Sequence, residues 1–341
     1  MPASKYERLP ASLQVLQAVT ASWSSGVITT FAELGFADVL HERPMSAVDL
    51  ARRMATDEEA TRRLCRTAGH LGLLSVDDQQ LLHLEPMGDA LRSDSPESMR
   101  NFARWTGSWA DRATWCHLPT AVRTGRSPFS AQHGSSVWEY FAAEPAAAAV
   151  FDAAMSETSR HVIRPVVDCF DFSQYLSIVD VGGGRGALLS AALEQAPGAC
   201  GILFDQDEVI NRAHSALKGH PAADRIRTVK GSFFESVPTG GDLYVVSNII
   251  HDWDDEQAGR ILLVIAEAMS TGAELALVEA VAGVDEKFDN MIGLMDMDML
   301  LLCNGKQRTV DEFKGLLDAV GIELITVHRA GLQSIVHGRK I

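Results

Sequence analysis

Leu176-Ser177-Ile178-Val179-Asp180-Val181-Gly182-Gly183-Gly184-Arg185-Gly186-Ala187 is the stretch whose reading decides the fold. Ile178, Val179 and Val181 form a short apolar run rich in β-branched side chains, the pattern of a buried strand. Gly182, Gly183, Gly184 and Gly186 break it, and the apolar spacing over 188–196 predicts a helix. Strand, glycine turn and helix open a nucleotide-cofactor fold. Glycine suits the turn because a Cβ would hold a ligand away from the backbone and because it admits positive φ. A second apolar run, 201–204, ends at Asp205, 23 positions after Gly182. That is close to the roughly 20-residue spacing of an acid that binds ribose hydroxyls.

Working outward, helical patterns over 208–217 and 255–269 alternate with apolar runs at 227–229, 243–246 and 275–278. The alternation predicts an α/β domain with a doubly wound, mainly parallel sheet. Ligands bind such sheets at the carboxyl ends of the strands, where Gly182, Asp205, Ser232, Ser247 and Glu279 fall.

Upstream, residues 11–40 read as helical, with Leu13, Leu16 and Val19 on one face and Ile28, Phe31, Leu34 and Phe36 on another. So much apolar surface ahead of any sheet calls for a partner, and a second subunit is a candidate. Residues 38–92 read as short helices followed by a strand-turn-strand wing, a winged-helix order. DNA binding and a structural, dimerising role both fit that order. Trp105, Trp109 and Trp115 follow at near-helical spacing and read either as core or as the aromatic wall of a ligand pocket. An alanine-rich helix is predicted over 146–160, with a link from Pro165 to Ser173. The boundaries drawn are 1–98 for a helical domain, 99–170 for linking helices that contribute to a pocket, and 171–341 for the cofactor domain.

Composition narrows the functional classes. The 341-residue chain is 46% hydrophobic and 22% charged, with a net charge of −15. Such a charge argues against nucleic acid and against an anionic membrane surface. Five cysteines are scattered with no C-x-x-C pair, so disulfides and a structural metal are not expected, and a reducing cytoplasm is the simple compartment.

The chemistry concentrates in Ser247-Asn248-Ile249-Ile250-His251-Asp252-Trp253-Asp254-Asp255-Glu256. His251 stands just past a strand end and before a helix, placed to take a proton from a phenol-like hydroxyl. Asp254 reads as that helix's N-cap. Glu279 ends the next strand and reads equally as the acid that orients His251 or as a surface acid. The methionine run reads as core, or as an adaptable pocket wall in which Met291 and Met295 are favoured. Trp105, Trp109, Met155 and Asp252 complete the candidate substrate contacts.

Taken together, IVDVGGGRGALL, GSFFESVPTGGD, SNIIHDWDDE, LVEAV and MLLCNGKQRTVDEFKGLLDAVG, with ELGFADVL and HGSSVWEYF upstream, resemble the S-adenosylmethionine-dependent O-methyltransferases of the plant caffeic acid and bacterial polyketide type. The resemblance covers nearly the whole chain. It implies a Rossmann-like methyltransferase domain behind a helical, winged-helix-like dimerisation domain, in an intertwined homodimer. It implies that Gly182, Gly183 and Gly184 hold the methionine end of S-adenosyl-L-methionine, that Asp205 holds the ribose, and that Ser232 and Phe233 flank the adenine. Ser247 stands where plant members carry lysine and bacterial members often serine. His251 matches the catalytic base and Glu279 one flanking glutamate. Two positions depart from the pattern: Ser232 replaces an aspartate, and Gln307 stands where a second glutamate is common. A neutral amide there can hydrogen-bond an imidazole but cannot balance an imidazolium by charge. The expected activity is O-methylation of an aromatic or polyketide-like hydroxyl. The rivals are N- or C-methylation, a cofactor-binding variant that does not transfer the methyl (a decarboxylase, hydroxylase or cyclase), and a winged-helix regulator.

Overall fold

A computed structural model describes residues 9–341. The chain forms two compact units: residues up to Ala113 with Phe141–Thr158, and Thr114–Tyr140 with Ser159–Ile341.

The first unit begins with α1 (Ala11–Glu33) and α2 (Phe36–Glu42). The single helical run expected over 11–40 is divided because Gly35 takes φ 69°, a left-handed conformation in which glycine has no Cβ penalty. α3 (Ala47–Met54) is capped by Ser46 and α4 (Glu58–His70) by Asp57, each side chain accepting a backbone N–H in the first turn. The wing is the antiparallel pair β1 (Leu74–Val76) and β2 (Leu82–Leu84). α5 (Pro86–Asp89) and α6 (Arg100–Thr106) follow. Phe31, Phe36, Leu40, Leu50 and Leu73 form the core of this unit.

α7 (Trp109–Trp115), α8 (Leu118–Thr124), α9 (Phe129–His133), α10 (Val137–Ala143) and α11 (Pro145–Cys169) come next. The link expected from Pro165 is instead the last stretch of α11. Proline in a helix interior removes one hydrogen bond and costs about 3 kcal/mol. Burial of Val162 and Val166 beside Phe170 and Phe172 offsets that cost, so packing overrides the local preference.

The second unit is built on seven strands: β3 (Ser177–Val181), β4 (Cys200–Asp205), β5 (Ile226–Lys230), β6 (Leu243–Ser247), β7 (Glu274–Glu279), β8 (Ile322–Ala330) and β9 (Gln333–Lys340). Their order across the sheet is β5-β4-β3-β6-β7-β9-β8. Pairings from β5 to β7 are parallel, and β9 is antiparallel to both β7 and β8. Between the strands run α12 (Ala187–Gln195), α13 (Asp207–Leu217), α14 (Asp255–Ala268), α15 (Asp289–Cys303) and α16 (Val310–Ala319). Side chains along β3 alternate between the two faces, Ile178 in one core and Val179 and Val181 in the other, as the two-residue period of a strand requires. The chain leaves β3 toward β4 and β5, then returns to lay β6 on the other side. The strand order therefore reverses between β3 and β6, which is where such sheets open a ligand crevice.

In α1, Leu13, Leu16, Val19 and Trp23 stay exposed, while Phe31 and Ala32 near its end are buried. An apolar stripe of that length is what a second subunit covers. Val19→Lys combined with Trp23→Glu is expected to turn the dimer into a monomer in sedimentation velocity. A double variant that sediments as the native species does would remove α1 from the interface.

Candidate active site

The strand ends assemble the site. Beyond β3 the chain turns through Gly182, Gly184 and Gly186 at φ 70°, 59° and 79°, angles closed to most other residues. A Cβ on Gly183 would overlap the Asp180 carboxylate and Leu203, and one on Gly182 would meet Ile249 at 2.9 Å, whereas Gly184 faces open space. Asp205 closes β4 and ties to the turn. Its Oδ2 accepts the Gly184 N–H at 2.9 Å and its Oδ1 the Gln206 N–H at 2.7 Å. Burial raises its pKa, and those two donors oppose the rise.

Asp180, which the sequence reading passed over as strand, lies beneath the same turn. It is buried and neither carboxylate oxygen has a hydrogen-bond partner. Burial, aided by the charge of Asp205, lifts its pKa to about 7. The signal was available: one acid inside an otherwise apolar strand asks for a reason.

After β5, Phe233 and Phe234 pack at 5.1 Å, and Trp253 meets Phe234 edge to face at 4.8 Å. Ser232 accepts the Phe234 N–H at 3.3 Å. Ser247 closes β6 and is half-buried.

His251 sits in a one-turn 3-10 helix, Ile250–Asp252, just past β6. Its side chain is 11% exposed, with Nδ1 2.7 Å from Glu279 Oε2 and Nε2 3.5 Å from Asp252 Oδ1. The Glu279 contact is an ion pair rather than an aligned hydrogen bond. Glu279 is fully buried at the end of β7, and its other oxygen accepts the N–H groups of Ile249 and Ile250 at 3.1 and 2.8 Å. Burial of the imidazole works against its charge, but Glu279 and then Asp252 outweigh it and lift the pKa to about 9. Asp252 is pushed up to about 6 by burial, with His251 opposing.

Arg308 holds this turn in place, a role no sequence signal announced. Fully buried, it donates to the carbonyls of Ile250 and Trp253 at 2.9 and 2.8 Å and to Asp255 at 2.9 Å. Lys306 donates its backbone N–H to the His251 carbonyl at 2.8 Å, and a Cβ on Gly305 would overlap that carbonyl. Asp254 caps α14 through the Gln257 N–H at 2.9 Å.

Gln307 is not hydrogen-bonded to His251. Its backbone N–H donates to Asp296 Oδ1 at 2.8 Å, and both atoms of its buried side-chain amide lack partners. The three indoles read together in sequence go to different places. Trp105 is 3% exposed and packs on Phe141 and Phe151 within the first unit, so there it is core. Trp109 is 80% exposed, and Trp115 donates to Asp298 on α15 at 2.9 Å. Met155 is in the portion of α11 that belongs to the first unit. Met291 and Met295 lie one turn apart on α15.

Residues 115–323 match the model of the O-methyltransferase domain, and residues 16–94 that of the O-methyltransferase dimerisation domain. The chain belongs to the O-methyltransferase family. It is 36% identical over 336 residues to the phenazine O-methyltransferase PhzM of Lysobacter antibioticus, covering 98% of this chain and 97% of that one. The mitomycin biosynthesis 6-O-methyltransferase of Streptomyces lavendulae is 32% identical, over 93% of this chain and 90% of its own. Among solved structures, LaPhzM matches with a TM-score of 0.91 at 35% identity, over 98% of this chain and all of the other. NcsB1 from neocarzinostatin biosynthesis, solved with S-adenosylmethionine and 2-hydroxy-5-methyl naphthoic acid, matches with a TM-score of 0.80 at 29% identity, over 93% and 96%. This O-methyltransferase is thus an S-adenosylmethionine-dependent enzyme with a Rossmann-like catalytic domain and the family's dimerisation domain. Among its described residues no helix is long and apolar enough to cross a membrane.

Replacing Glu279 by glutamine removes the charge that does most to raise the His251 pKa and leaves burial to dominate. The imidazole pKa is expected to fall from about 9 by one unit or more, carrying the acid limb of the pH–rate profile down with it. Imidazole NMR titration checks this, and an unmoved pKa would show that Glu279 does not set it.

Proposed function

We propose that this O-methyltransferase methylates a hydroxyl of an aromatic or polyketide-like small molecule in cytoplasmic secondary metabolism, with His251 as general base. The observation that carries the reading is the imidazole held 2.7 Å from a fully buried carboxylate at the strand end next to the glycine turn. When bound, S-adenosylmethionine supplies a methyl group on a positively charged sulfur that leaves readily.

The residues present fit that cofactor. Gly182, Gly183 and Gly184 keep the backbone bare where its amino-acid end would lie, and Gly184 faces open space. The Asp205 carboxylate at the end of β4 suits the ribose hydroxyls. Phe233, with Trp253 behind it, offers an aromatic face for adenine, and Ser232 and Ser247 line the same strand ends. Ser232 brings no charge to adenine recognition.

The remaining work is alignment and proton removal. Holding the acceptor oxygen in line with the methyl and its sulfur contributes most of the rate. His251 takes the hydroxyl proton, and Glu279 and Asp252 stabilise the imidazolium that results. With a pKa of about 9, the ring is charged at neutral pH before the acceptor arrives. An acceptor entering as phenolate beside imidazolium gives the same reactive charge state as a phenol beside neutral imidazole. Both routes use the same pair of carboxylates. The Gln307 amide makes no hydrogen bond to His251, so the two carboxylates carry that support alone. Met291, Met295 and Asp252 line the acceptor's side of the catalytic unit.

His251→Ala is expected to cut turnover of a phenolic acceptor by about 10²- to 10⁴-fold while calorimetric affinity for S-adenosylhomocysteine changes little. Production of S-adenosylhomocysteine is the readout. Equal turnover in the variant would remove His251 from the chemistry.

A further inference from the structure

Between the end of β6 and the 3-10 turn that carries His251, the chain passes through one left-handed residue. Asn248 takes φ 53°, a conformation that is unfavourable for a residue with a Cβ and that asparagine tolerates better than most. Its N–H still donates to the Val278 carbonyl at 2.9 Å, so it extends the β6–β7 ladder by one step. Ile249 then leaves the ladder at φ −120° and ψ −46°. The N–H groups of Ile249 and Ile250 are thereby turned onto one oxygen of Glu279, whose other oxygen faces the imidazole. The angle at Asn248 thus sets where His251 stands against Glu279.

A residue from the far side of β7 holds Asn248. β9 pairs with β7 so that Ser334 lies opposite Glu279, which brings Gln333 to the same strand ends. Gln333 Nε2 donates to Asn248 Oδ1 at 2.9 Å. Gln333 is 3% exposed, and its Oε1 is buried without a partner. Burying an amide with one end unused is unfavourable, and an apolar side chain of similar volume avoids that cost. An unfavourable backbone angle and an unfavourable side chain therefore meet in one hydrogen bond, at the entry to the His251 turn. Local conflicts of this kind cluster at functional sites, where the surrounding structure holds them.

We infer that Gln333 is a positioning residue for the catalytic base: its amide keeps Asn248 left-handed and so keeps the His251 imidazole against Glu279. The inference rests on reading His251 as the general base. Gln333 acts through Asn248 and not on the imidazole itself. Its alternative role is that of a plain structural tie between β9 and the end of β6, and the two roles differ in what the imidazole feels.

Gln333→Met separates them, because it keeps the volume, removes the bond and changes no charge. The charges that act on the imidazole stay in the chain: Glu279 at the end of β7, Asp252 on its own turn and Arg308 ahead of α16. Asp296 and Asp298 of α15, which packs on that turn, are untouched as well. Glu279 raises the His251 pKa against burial, so an imidazole that drifts away from Glu279 titrates lower. The full-length protein is saturated with S-adenosylhomocysteine and the imidazole is titrated by NMR. In Gln333→Met its pKa is expected to fall from about 9 by about half a unit or more, in a protein that still melts cooperatively. Asn248→Gly leaves the left-handed angle open but removes the acceptor oxygen. In that background Gln333→Met should shift the pKa no further, because the two side chains act as one unit. An unmoved pKa in Gln333→Met overturns the inference. So does an equal second shift in the Asn248→Gly background, or a Gln333→Met protein that no longer folds, since that makes Gln333 a structural tie. Failure of the general-base reading shows separately, as turnover unchanged by His251→Ala whatever the titrations give.

Discussion

Glu279 divides its two oxygens between backbone and chemistry, and the site depends on that division. One oxygen takes the N–H groups of Ile249 and Ile250 and fixes the turn after β6, while the other faces the His251 imidazole. The carboxylate is fully buried, so its charge is little screened by water. Two backbone donors and one imidazolium compensate the cost of burying it. Any shift of β7 against β6 would break all three contacts together, and the parallel register Ser247↔Val278 is what places Glu279 beside the turn.

Support from beneath comes from Arg308. A fully buried guanidinium bound to two carbonyls of the turn and to Asp255 cannot leave without stranding several polar groups. It ties the segment before α16 to the turn after β6. The same segment carries Gln307, whose side-chain amide is buried and without a partner.

The two units relate to sequence differently. In the second, β-branched runs, glycines and caps agree with the global fold at each step, and the strands from β3 to β7 fall where their patterns lie. β8 and β9 carried no comparable pattern. β9 is buried along most of its length but includes Gln333, Ser334 and His337, whose polar groups blur the apolar run that would have marked it. In the first unit, α1 is apolar on several sides, and periodicity could not tell the part that enters the core from the part left for a partner.

Read alone, the chain determined the glycine turn, the acid at the end of β4, the parallel core of the sheet and the strand-end position of His251, because each is written in neighbouring residues whose spacing sets local geometry. It also determined the N-cap at Asp254, for the same reason. The tertiary structure alone decided that Glu279 faces His251, that Arg308 braces the turn, that the amide of Gln307 is left without a partner, and that Trp105 is core while Trp115 holds Asp298. Those contacts join residues distant in sequence, and only the registration of strands and the packing of helices brings them within bonding distance.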